Sequence, residues 1–93
     1  MRYSYKIRNG EIFEYSVDNN GKDHFTPTGV KAFYTKKEIG IRYGWGRSAL
    51  RTNLLDPGIA RFIYDRRNGE YITRKKVFRP AEMEIIFNYF GLP

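Results

Sequence analysis

Thr35–Leu55 reads TKKEIGIRYGWGRSALRTNLL, and two short helices joined by a glycine-bearing turn account for it. Thr35 and Glu38 form a T-x-x-E capping box, so a helix is expected to begin at Lys36,. Gly44 stands where a left-handed residue would end that helix, a conformation glycine adopts without steric cost,. A second helix then runs over Arg47–Asn53 with Ala49, Leu50 and Leu54 on its inward side. Arg47, Ser48, Arg51 and Thr52 fall on the outward side at about 100° per residue,. That is the helix-turn-helix pattern, whose second helix lies in a DNA major groove. Asn53 falls inward, where such motifs keep an apolar residue; either the helix stops there with Asn53 as its cap or the match is imperfect.

The outward set suits nucleic acid. Arginine can bond a guanine edge with two parallel hydrogen bonds, and Ser or Thr can reach phosphates or bases. The competing reading is a helical hairpin whose arginines are solvated. Charge favours a polyanion: residues 1–34 carry net +1 and residues 35–93 net +6, making up the +7 of the 93-residue chain,.

East and west of this segment the chain reads as β-structure and a closing helix. Tyr3–Ile7 and Ile12–Val17 flank Asn9-Gly10 as a hairpin. A three-residue loop Arg8-Asn9-Gly10 with a bulge would pair Tyr5 with Phe13 and Tyr3 with Tyr15, collecting the apolar residues on one face,. A two-residue loop would pair Ile7 with Ile12 and Tyr5 with Glu14, so the bulged register is expected. DNNGK over Asp18–Lys22 is a turn, His24–Gly29 with Pro27 a loop, and Val30–Tyr34 a short strand,. An isolated hairpin is marginal in water, so a third strand or the C-terminal helix should cover it.

After Asp56-Pro57-Gly58, the runs Ile59–Asp65 and Glu70–Val77 flank Asn68-Gly69. They read as a second hairpin, because Phe62-Ile63-Tyr64 and Tyr71-Ile72-Thr73 favour β-structure,. The alternative makes Asp56 an N-cap and Pro57 the first residue of a helix through Tyr64,. As a hairpin it would occupy the place of a wing, with Arg66 and Arg67 at its tip and Arg74, Lys75 and Lys76 beside it,. Lys36 and Lys37 could touch the backbone flanking the groove. Pro80–Phe90 is a helix with proline at its first position and Gly91 past its end,. Its stripe of Met83, Ile86, Phe87 and Phe90 suits a core, with a homodimer interface as the sharper alternative,. Trp45 reads as a plug between the helices.

These elements make one α+β domain over residues 1–93, a winged helix-turn-helix-like fold. The hairpin and loop occupy residues 1–29, and the helix-turn-helix, wing and C-terminal helix residues 30–93. There is no cysteine to brace it, so the core rests on eight tyrosines, seven phenylalanines, one tryptophan and scattered aliphatics,. No apolar run approaches the ~20 residues of a membrane span and MRYSYKIRN lacks the apolar middle of a signal peptide, so a cytoplasmic protein is expected. His24 is the single histidine, and Glu82 and Glu84 point apart on a helix,. With no nucleophile set, metal-ligand spacing or phosphate-cradling loop, neither enzyme activity, metal nor cofactor is expected.

Two resemblances follow from these residues. Tyr34, Lys36, Glu38, Ile39, Gly40 and Tyr43, with Phe78, Pro80, Met83, Ile86, Phe90, Gly91 and Pro93, resemble the opening and ending motifs of a family of short Bacteroides proteins, domain of unknown function 4248. The likeness covers roughly residues 34–93 and implies an architecture and a bacterial source. The order helix-turn-helix, basic hairpin, proline-started helix is similar to the winged helices of MerR-type regulators and excisionases. That likeness implies that Arg47 and Arg51 read the groove and Arg66 and Arg67 sit on a wing. The expected function is a small sequence-specific DNA-binding protein, a transcriptional regulator or mobile-element accessory factor, with double-stranded DNA as partner. A protein-interaction module, homodimeric or not, is the alternative. RNA binding through the hairpin aromatics is a third reading, with no RNA-recognition motif to carry it.

Overall fold

A computed structural model describes residues 3–63 and 75–93. Among them the chain forms a three-stranded antiparallel sheet and four helices: β1 (Tyr5–Arg8), β2 (Glu11–Val17), β3 (Asp23–Lys31), α1 (Lys36–Tyr43), α2 (Arg47–Leu54), α3 (Pro57–Ile63) and α4 (Pro80–Phe90). The strand order is β1-β2-β3. This is a small mixed α+β domain.

The first hairpin closes through Asn9 and Gly10 alone, in the two-residue register: Tyr5 faces Glu14, Ile7 faces Ile12 and Arg8 faces Glu11. The bulged register expected from the sequence does not form. Asn9 and Gly10 both take positive φ, 52° and 76°, the type I′ geometry whose twist matches that of the strands,. Tyr5, Ile7 and Ile12 then share one side with the core, while Phe13 and Tyr15 lie on the other,.

His24–Gly29 is not a loop. It is the middle of β3, which takes in Val30 and Lys31, the first two residues of the expected strand, and ends before Ala32–Tyr34. Pro27 is tolerated because β3 is an edge strand, where a missing N–H breaks no ladder,. The pairing shifts between Glu11 and Phe13, and Gly29 takes a φ of 77° opposite the shift.

Helix α1 starts as expected, with Thr35 Oγ1 accepting from the Glu38 N–H at 3.2 Å. It ends at Gly44 in the left-handed region, where Trp45 N–H donates to Gly40 O and Gly44 N–H to Ile41 O,. Helix α2 runs one residue past Asn53. The segment Ile59–Ile63 is helical and does not form the first arm of a hairpin. Asp56 decides this locally: its side chain accepts the Gly58 N–H at 2.8 Å, its carbonyl accepts from Ile59 and Ala60, and Pro57 brings its helical φ,. A Cβ at position 58 would lie 2.4 Å from the Tyr89 ring, so any larger residue there would displace Tyr89. The tip of the expected wing, with Arg66 and Arg67, lies outside the described residues, as does Arg74 of the basic run beside it.

Helix α4 joins these pieces. Phe87 meets Phe33 edge-on at 5.2 Å, and Met83, Ile86 and Phe87 are fully buried beside Ile39, Leu54 and Ile59. The stripe considered for a homodimer is therefore core, with Phe90 half-buried against Trp45 at 4.9 Å. The other flank of α4 covers the β1 edge. Tyr5 N–H donates to Asn88 Oδ1, Ile7 N–H to Glu84 Oε1 at 2.7 Å and Tyr3 N–H to Asn88 O at 3.0 Å. These N–H groups point away from β2 and would otherwise form an open edge. Asn88→Ala is expected to destabilise the fold by about 1–3 kcal/mol, because it strands the Tyr5 N–H in a half-buried position. Urea denaturation would show a lower midpoint with unchanged slope, and the Tyr5 amide would exchange faster.

Candidate nucleic-acid interface

Helix α2 is placed by its contacts with α1 and the core. Leu54 is fully buried and Leu50 half-buried one turn earlier, while Ala49, expected inward, is exposed. Two leucines at i and i+4 are enough to seat a helix this short, and the rest of its surface faces outward. Arg47, Ser48, Arg51 and Thr52 are all exposed, as the helical angles require. Asn53 is half-buried, and its carbonyl accepts the Asp56 N–H at 3.2 Å, so it belongs to the link between α2 and α3.

Gly40, which the sequence reading used only as a family match, lies where α1 comes close to Trp45 and α2. An added Cβ would lie 3.3 Å from Trp45 O and 3.4 Å from Leu50 Cδ2, so the turn at Trp45 would have to give by a few tenths of an ångström. A glycine in the middle of a helix costs about 1 kcal/mol against alanine, and a close packing partner is the usual reason to find one. The turn is fixed from the far side as well. Tyr43 stacks on Trp45 at 4.5 Å and 16°, and its hydroxyl donates to Gly91 O at the end of α4. Burial pushes the Tyr43 phenol well above its ordinary value, with a smaller contribution from Tyr5,.

The basic residues are not spread evenly. Lys36, Arg47 and Arg51 line one cleft of about 410 Å³, with Leu50 beside them. Lys36, expected to sit on a flank, joins them from the first position of α1; its N–H donates to Lys76 O at 2.9 Å, and Thr35 pairs with Val77 in a short antiparallel bridge. The same bridge brings the Lys76 backbone alongside, with the Lys76 side chain exposed; Lys37 is exposed on α1. Lys75 has a different job. Its Nζ lies 3.3 Å from Glu82 Oε2, a carboxylate buried in the first turn of α4, whose Oε1 accepts the Arg79 N–H at 2.9 Å. Lys75 serves the start of α4, a pairing the residue spacing gave no hint of.

Burial, and then the neighbouring Arg51 charge, lower the Lys36 pKa below that of an ordinary lysine,. A lysine lowered on folding destabilises the fold at every pH below its folded pKa, and the penalty disappears as pH rises past the unfolded value. An anion between Lys36 and Arg51 would offset the same repulsion. Among the described residues no cluster of His, Asp or Glu is placed to hold a metal, and no helix is long and apolar enough to cross a membrane. Neither a protein-family model, a curated protein nor a solved structure matches the chain.

Arg51→Gln removes one cause of the shift and leaves the burial. The Lys36 side-chain titration, followed by NMR of its ε-carbon, is expected to move upward toward the ordinary lysine value. An unchanged titration would mean that Arg51 does not act on Lys36.

Proposed function

We propose that this chain binds double-stranded DNA, with α2 as the element that enters the major groove, and acts as a small regulator or mobile-element accessory factor. The convergence of Lys36, Arg47 and Arg51 on one cleft supports this most directly, since the three come from two helices and meet through the packing. In this role the exposed Arg47, Ser48, Arg51 and Thr52 would meet the bases, and Lys36, Lys37 and Lys76 would meet flanking phosphates.

The local energetics of α2 fit the same reading. Its N-cap is Gly46, with no side-chain cap, no acid in the first turn and Arg47 at the first helical position. A basic residue there opposes the helix dipole by a few tenths of a kcal/mol, a cost that phosphate would reverse. The chain carries +7 overall, enough to draw it to a polyanion from a distance,.

Fluorescence anisotropy with mixed-sequence duplex DNA tests the proposal. Binding is expected at ~50 mM salt and should weaken steeply by ~200 mM, since each neutralised phosphate adds about 0.9 to the log–log salt slope. Arg47→Ala/Arg51→Ala should lower the slope by about 2 and the affinity by at least about tenfold. No binding at ~50 mM salt, where non-specific contacts are strongest, would rule the proposal out.

A further inference from the structure

The side of the sheet turned away from α4 holds a second group of aromatic and basic residues, independent of α2. Alternation along β2 sends Ile12 into the core and Phe13 and Tyr15 to the opposite side,. The β2–β3 register sets Phe25 against Tyr15 and Pro27 against Phe13. Phe13 and Phe25 meet edge-on at 6.4 Å and 87°, and Tyr15 and Phe25 at 5.2 Å and 77°. All three rings are half-buried, yet none is among the hydrophobic residues packed against the core.

Cations lie over one face of two of these rings. Lys6 Nζ lies 5.5 Å from the Tyr15 ring centre, and the Arg8 guanidinium lies 4.5 Å from that of Phe25. Lys31 stands opposite Glu11 at the Arg8 end of the sheet, and Asp23 at the far end accepts the Tyr15 hydroxyl at 2.6 Å. A wholly apolar partner would have to desolvate Lys6 and Arg8. A second copy packed face to face would bring those cations against their own kind. An acidic peptide would answer the charge but leave the rings unmatched. A ligand with flat π-faces strung on a negative backbone answers both features at every repeat, because any base can stack on an aromatic ring while its phosphate meets the cations.

We propose that this open face of the sheet binds single-stranded nucleic acid, with bases stacked on Phe13 and Phe25 and the backbone followed by Lys6, Arg8 and Lys31. The rings favour unpaired bases, since those of a duplex are already stacked on one another.

Anisotropy on the full chain with labelled dT and rU oligomers of about 12 nucleotides tests it. Salt-sensitive binding of either strand is expected, with a log–log slope near −2 for three cations at about 0.7 each. Lys6→Gln/Arg8→Gln, both at exposed positions, should reduce the slope by about 1.4,. Phe25→Ala should weaken binding roughly fivefold to a hundredfold. Circular dichroism would confirm that the fold persists, and the lysine–arginine pair gives the answer if Phe25→Ala unfolds. Arg47→Ala/Arg51→Ala should keep single-strand binding while losing the duplex, which separates this face from α2. Three results would overturn the assignment: no single-strand binding at ~50 mM salt, single-strand binding abolished by the α2 pair but untouched by Lys6→Gln/Arg8→Gln, or a dimer in sedimentation that Phe25→Ala dissolves.

Discussion

The outward N–H groups of Tyr3, Tyr5 and Ile7 must find acceptors, and helix α4 supplies all three. An edge strand left open would cost free energy in unpaired backbone and would invite a neighbouring chain to pair with it. Glu84 and the Asn88 side chain and carbonyl close it at close range, which fixes both the position of α4 along the sheet and its rotation. Much of the domain follows from that rotation. With Glu84 and Asn88 turned to the strand, Met83, Ile86 and Phe87 enter the core, Tyr89 lies against the bare backbone of Gly58 in α3, and Phe90 reaches Trp45. The turn between α1 and α2 is thus held from both sides, by Gly40 within the pair and by Phe90 and Gly91 beyond it. The basic face of α2 points outward because its inward side is already occupied.

Local chemistry made some of this legible in the sequence. Thr35, Glu38 and Gly44 bound α1, and Pro80 and Gly91 bound α4, because capping and φ constraints act within a few residues. The hairpin register was not legible. Parity of apolar residues favours a bulge only if a single face is buried, and here Ile12 serves the core while Phe13 and Tyr15 gather with Phe25 on the other side. The I′ preference of Asn-Gly was the better guide. Helix α3 misleads for a related reason: Phe62 and Ile63 favour strands by propensity, but Asp56 and Pro57 start a helix, and Ile59 and Ile63 bury themselves at helical spacing. Pro27 misleads in the opposite sense, since only the strand order reveals that β3 has a free edge.

The candidate site divides along the same line. Arg47, Ser48, Arg51 and Thr52 could be read from angular position alone, because exposure on a short helix is a local property. The inclusion of Lys36 in their cleft depends on how α1 and α2 pack, and the assignment of Lys75 to Glu82 depends on a contact across the chain. A sequence shows the charges but not which of them are brought together. Lys36 and Lys75 look alike in one dimension; in three, one joins the arginines and the other braces a buried carboxylate.

The claim that matters most is that the α1–α2 pair presents its basic face to duplex DNA. Backbone amide NMR of the labelled chain titrated with mixed-sequence duplex examines it residue by residue. Shifts concentrated on Arg47–Thr52, Lys36, Lys37 and Lys76 are the expected result. Shifts absent from α2, or confined to the sheet and α3, would contradict it.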